Sequence, residues 1–199
     1  KPGDVKYKNV DDSDNVINDN DRTIIGSPLP DFTYGINVDV TYKQFDFSMF
    51  FQGVQGNEIF NATGYLLDGK LDSNLNTSYL GRWTGEGTSN SIPRATFDGF
   101  ANNSRQSSRF IEDGSYLRLK NVQLGYNVPE SAISKTFISK ARIYVAAQNL
   151  FTITNYSGLD PELGVDETQN GSRTSLDLGI DRGRYPSTRT VSLGIDINF

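Results

Sequence analysis

From Arg189 to Phe199 every second residue is apolar: Val191, Leu193, Ile195, Ile197 and Phe199 alternate with Thr190, Ser192, Gly194, Asp196 and Asn198. A period of two is the pattern of a strand with one apolar and one wet face. The same alternation runs through Phe32, Tyr34, Ile36, Val38, Val40 and Tyr42 and, after Lys43-Gln44, through Phe45, Phe47, Met49 and Phe51. Two strands joined by two residues must be antiparallel neighbours. Alternation resumes at Ser108 and runs to Val128. There Tyr116, Val122, Leu124 and Tyr126 share one parity with Arg118 and Lys120, while Leu117 and Leu119 fall on the other. That mixture predicts a bulge, or a stretch lying above a membrane. Pro129 cannot donate to a ladder and ends the strand. The connector at 129–140 has room for one helical turn with Ser131 as its cap. Ile143, Val145 and Ala147 alternate with Arg142, Tyr144, Ala146 and Gln148 in a further strand.

The pattern predicts an all-β chain of about five antiparallel strands, at 31–42, 45–56, 108–128, 140–155 and 186–199. Their connections are short, long, short, long, with the long ones at 53–107 and 157–184. No amphipathic helix is available to cover a sheet. Two arrangements remain: a soluble carbohydrate-binding β-sandwich whose apolar faces bury each other, or a barrel with hydrocarbon outside and water inside. The loop alternation favours the barrel, where extracellular loops are long and periplasmic turns short. Crossing a bilayer takes about 9–11 tilted strand residues, and these strands are long enough. With the long loops outside, the last strand descends and the C-terminus lies on the periplasmic side. Small barrels need about eight strands to close, so these five must pair with strands the chain does not contain. The start at Lys1, without an initiator methionine or signal peptide, fits the same expectation of a piece of something larger.

Composition narrows the chemistry. A net charge of −5 argues against nucleic-acid binding. Cysteine and histidine are both absent, which removes a thiolate site, a disulfide framework and the commonest general base, so no enzyme is expected. Asp160 and Glu162 are read as solvated loop acids. One frame of the acidic 9–21 loop resembles a calcium loop: Asp12, Asp14, Asn18 and Asp21 fall on ligand positions, with the Val16 carbonyl between. Val10 stands where the first Asp belongs and Asn15 where the turn glycine does, which favours an ion-free Asx-turn loop over a Ca2+ site. Arg82, Trp83 and Arg94 are candidates for touching cargo or a lid, since an aromatic face stacks on sugar rings and arginine forks reach polar ligands.

Several blocks resemble one family in order along nearly the whole chain. They are GDVKYKNV and DNDRTIIGSPLPDFTYGINVDVTYKQFDFSMFFQGVQGNEIFN within 3–61, RW and IPRA within 82–95, SSRFIEDGSYLRLKNVQLGYNVP at 107–129, ARIYVAAQNLFTITNYSGLDPE at 141–162 and YPSTRTVSLGIDINF at 185–199. The chain is similar to the C-terminal part of a SusC/RagA-type TonB-dependent outer-membrane transporter of Bacteroidota. The resemblance implies that residues 1–199 are the last strands of a plugged barrel of about 22 strands, with plug and TonB box upstream. It implies a SusD-like lipoprotein lid, the TonB complex, outer-membrane lipid and an oligosaccharide or peptide cargo as partners. Val191, Leu193, Ile195, Ile197 and Phe199 resemble the signal read by the barrel-assembly machinery. The acidic loop departs from the family's usual DxNGDG form.

Overall fold

In the computed structural model, residues 1–11, 13–69, 74–96, 103–164 and 177–199 are described. The strands among them are β1 (Phe32–Tyr42), β2 (Phe45–Gln55), β3 (Glu58–Asn61), β4 (Ile111–Asp113), β5 (Tyr116–Asn127), β6 (Lys140–Gln148), β7 (Thr152–Thr154), β8 (Ile180–Asp181) and β9 (Thr190–Asn198). Two short helices, α1 (Ala62–Gly69) and α2 (Glu130–Ile133), accompany them. The chain divides into two units. One comprises Leu29–Asn57, Asp113–Glu162 and Arg184–Phe199; the other comprises Lys1–Pro28, Glu58–Glu112 and Leu163–Gly183.

The first unit is an antiparallel sheet in the order β1-β2-β5-β6-β9, with β7 continuing β6 along β5. β1 and β2 pair along their full length, Phe32 opposite Gln55 and Tyr42 opposite Phe45. Their two-residue turn places Lys43 at φ 53°, uncommon for a non-glycine residue and of the sign that tight hairpin turns use. The β2–β5 register slips once: Phe50 faces Asn121 and Phe51 faces Leu119, so Lys120 is an extra residue. At the same height the strand beyond is bulged too. Asn149, at φ 50°, and Leu150 donate to the Lys120 and Leu119 carbonyls, and Leu119 donates to the Phe151 carbonyl. These bulges account for the parity mixture in the sequence. A one-residue insertion exchanges faces, so Leu117 and Leu119 join Val122, Leu124 and Tyr126 on the apolar side.

Strand boundaries differ from expectation at three places. The stretch 140–155 is two strands, β6 and β7, separated at the Asn149 bulge. Residues 108–128 are not one strand: Ser108–Phe110 is a 3-10 turn, β4 belongs to a separate small sheet, and the Asp113 carboxylate accepts from the Ser115 N–H across the break. The last strand begins at Thr190, because Pro186 has no N–H and Ser187 gives its own to Asp160 (2.8 Å). Ser131 is not a cap either. Pro129 precedes α2 with no side-chain bond, and the Ser131 carbonyl accepts from Ser134 Oγ.

The second unit holds β3, β4 and β8 in the order β4-β3-β8, with β3 and β8 parallel. Its core is the fully buried Ile59 beside Phe110 and Tyr79. The rings of Phe60, Tyr65 and Phe110 meet at centroid distances of 5.2–6.5 Å. The stretch expected to lack periodicity therefore contains β3 and α1. Asn61 sets the helix start, its Oδ1 accepting the Gly64 N–H at 2.7 Å. Eight residues are too few to be helical alone, and packing supplies the rest.

Candidate functional site

The two faces of the main sheet are chemically opposite. Cross-strand partners share a face. The register therefore collects Ile36, Val38 and Val40, then Phe47, Met49 and Phe51, then Leu119, Val122 and Leu124, then Ile143 and Val145, then Val191, Leu193, Ile195 and Ile197 on one side. No charged residue stands on that face in any of the five strands. It is also open: Leu193 is 76% exposed, Val191 66% and Ile195 61%. A monomeric soluble domain does not leave a contiguous apolar surface of this extent in water. Tyr42, Phe45 and Tyr126 gather at the end that carries the two short connections, with the Phe45 and Tyr126 rings 5.0 Å apart. Phe199 lies at that end too, 80% exposed and stacked on Phe137 at 5.6 Å.

The opposite face carries polar groups and two ion-pair clusters. In the first, Arg118 on β5 is buried and uses its whole fork. Nη2 donates to Asp160 Oδ1 at 2.5 Å, Nη1 donates to Glu162 Oε2 at 2.5 Å and to Ser187 Oγ at 3.1 Å, and Nε donates to Thr152 Oγ1 at 2.7 Å. Lys120 reaches both oxygens of Glu162 at 2.7 Å. Asp160 accepts two backbone N–H groups besides, from Glu162 and Ser187. Burial pushes the Asp160 carboxyl up, but the bonds from Arg118 and the two N–H groups outweigh it, and the net direction is down. In the second cluster, Arg142 on β6 bridges Asp196 (3.3 Å) on the adjacent β9 and, reaching across β5, Asp46 (2.5 and 3.0 Å) on β2. Gly125 clears the space, since a Cβ there would lie 2.5 Å from both Arg142 and Asp46.

The Arg118 cluster corrects the reading of Asp160 and Glu162 as solvated acids: Asp160 is only 4% exposed. Two signals pointed to it, the cations Arg118 and Lys120 inside an alternating strand and two acids spaced by Pro161. Spacing alone could not join segments some forty residues apart.

The residues singled out as contacts lie in the other unit. Trp83 packs on Gly3, whose φ of 83° and missing Cβ let the ring approach; an added Cβ would overlap it. Arg82 lies over the Tyr79 ring at 5.8 Å. Arg94 forms a two-pronged pair with Asp4 at 2.7 and 3.1 Å, and the bond from Arg94 is the main reason the Asp4 carboxyl is held far below the usual carboxylate range. In the acidic loop, Asp21 accepts from the N–H groups of Asn18, Asp11 and Val10, which lowers its carboxyl. Asp14 accepts from Val16 N–H and from Asn18 Nδ2. Asp12 lies outside the described residues. Among the described residues no three acidic groups converge as metal ligands.

An antiparallel sheet with one uncharged exposed face, one ion-paired polar face and its long connections at one end is a piece of the wall of a transmembrane β-barrel. No family model matches the chain. It is 42% identical over 160 residues to TonB-dependent receptor P3 of Formosa agariphila, covering 80% of this chain and 15% of that one. It is 30% identical over 154 residues to the TonB-dependent receptor SusC of Bacteroides thetaiotaomicron, covering 75% and 15%. The solved RagAB peptide transporter superposes with a TM-score of 0.72 at 28% identity, over 88% of this chain and 18% of that chain. The chain belongs to the SusC/RagA-like TonB-dependent transporters, as a fragment of the barrel. It spans 15–17% of the length of the curated relatives it matches.

Proposed function

We propose that this chain forms wall and loops of an outer-membrane, TonB-dependent importer of oligosaccharides that works with a SusD-like surface lipoprotein. The uncharged apolar face meets lipid and the Arg118 and Arg142 clusters line the inside. The long connections are extracellular, the short turns and Phe199 periplasmic, and the terminal strand with Val191, Leu193, Ile195, Ile197 and Phe199 is the element read during barrel assembly. The observation that carries this reading is the register itself. Five strands and a mid-sheet bulge combine to leave one face without a charge, which a sheet facing water has no reason to do.

A second reading, import of peptides, draws on the likeness to the RagAB peptide transporter. Cells lacking the full-length protein separate the two. Loss of uptake of a fluorescent oligosaccharide pool, restored by the gene and abolished by a protonophore, supports the first. Loss of labelled oligopeptide uptake alone supports the second, and retention of both overturns import.

A further inference from the structure

In the second unit the N-terminal stretch and the segments around Trp83 and Arg105 enclose three cavities of about 370, 410 and 570 Å³. The first two share Asp4, Val5 and Lys6, and the second and third share Tyr7, Ile17 and Arg105. The shared residues make the three cavities neighbours, and we read them as one groove with Trp83 lining one end and Tyr7 lining the two others.

The charges along it are unequal in what they have left to give. Its carboxylates all have partners: Asp4 has Arg94, Asp19 has Arg22 at 3.1 Å, and Asp21 has three backbone N–H groups and the attraction of Arg105. Lys6, Arg105 and Arg109 enter no ion pair among the described residues. Arg105 lies over the Tyr7 ring at 5.8 Å and Arg109 over Phe110 at 5.0 Å. The Arg109 Nη1 is buried with no acceptor among the described residues. A buried guanidinium N–H without a partner is unfavourable until an acceptor arrives. Burial lowers the Arg109 pKa even though Asp68 attracts its charge from a distance, and the side chain lines the Trp83 cavity. In a chain of net charge −5, this is a local excess of positive charge outside any ion pair among the described residues, beside aromatic rings.

We propose that the groove binds an anionic oligosaccharide, one whose sugar rings carry carboxylate or sulfate groups. The rings would lie against Trp83 and Tyr7, and the acidic groups would take Lys6, Arg105 and Arg109. Ser89, Asn90 and Ser91 add hydroxyl and amide partners at the Trp83 end. Those groups can bond the hydroxyls of a sugar ring that stacks on Trp83. The proposal rests on the import reading and names its substrate class.

The test is calorimetric titration of the full-length transporter with four hexameric probes: oligogalacturonate, a sulfated galactan oligosaccharide, maltohexaose and hexaglutamate. One of the two anionic sugars is expected to bind about tenfold or more tighter than maltohexaose, with affinity falling as salt rises. Lys6→Ala and Arg105→Ala are each expected to cost about tenfold for that sugar and clearly less for maltohexaose, so that the preference for the anionic sugar shrinks. Heat-modifiable gel migration checks that both variants still form the barrel, and the wild-type preference and salt slope need no variant. Equal binding of neutral and anionic sugars, no binding of either anionic sugar, or unchanged affinity in both variants overturns the proposal; tighter binding of hexaglutamate also overturns it. Oligosaccharide uptake without any anionic preference refutes this inference alone, whereas absence of all uptake refutes the import reading beneath it.

Discussion

Arg118 and Asp160 lie 2.5 Å apart, both almost wholly removed from solvent, and between them they tie a β5 residue to two connections distant in sequence. A buried pair of this kind is worth little net against an apolar replacement, yet removing one partner strands a buried charge. Arg118→Ala or Asp160→Ala is therefore expected to destabilise the barrel by about 3–5 kcal/mol. The double variant Arg118→Met/Asp160→Leu should recover part of that loss, since the two backbone N–H groups that Asp160 accepts lose their acceptor. Urea midpoints of the full-length protein in vesicles give the three values; equal losses in single and double variants would contradict the pairing.

Leu193 stands in the middle of β9 on the uncharged face, and Ser192 beside it points to the other side. Leu193→Arg is expected to cost about 2–4 kcal/mol, the penalty for a cation near the bilayer midplane. Ser192→Arg should cost far less. The folded fraction on a heat-modifiable gel distinguishes them, and comparable losses would mean that β9 does not have a lipid face.

Deletion of Lys120 makes a sharper test of register. Without the extra residue, Leu117 and Leu119 turn inward and Arg118 turns outward. Assembly is expected to fail, whereas Lys120→Ala keeps the bulge and loses only the exposed side of the Glu162 pair. Normal assembly of the deletion would show that the bulge does not set the faces.

The Asp160 carboxyl lies in a loop, and its pKa is lowered from the ordinary 3.8. A depressed folded-state pKa gives stability that is complete above the unfolded value and lost as pH falls through the folded one. Urea midpoints should therefore stay level from neutrality to about pH 4 and then decline. Asp160→Asn should lower the neutral value and flatten the acid decline. An identical acid slope in the variant would remove Asp160 as its source.

Much of this protein was legible along the chain, because a strand's faces are written with a period of two. β1, β2 and β9 could be read from Phe32–Gln55 and Val191–Ile197 within a few residues, and so could the alternation of short and long connections. Family blocks added the barrel to which they belong. Periodicity fails where a strand changes phase, so Leu117 and Leu119 looked misplaced until the Lys120 bulge put them back with Val122. It fails equally in short elements such as α1, which carries too few turns to show a stripe. What tertiary structure alone decided is who meets whom across long loops. Arg118, Asp160, Glu162 and Ser187 are each unremarkable locally, and Trp83 and Arg105 lie some seventy-five to one hundred residues beyond Tyr7. A strand's sequence fixes which way its side chains point. Chain closure and packing fix what they point at, since those contacts depend on loop conformation rather than on any local repeat.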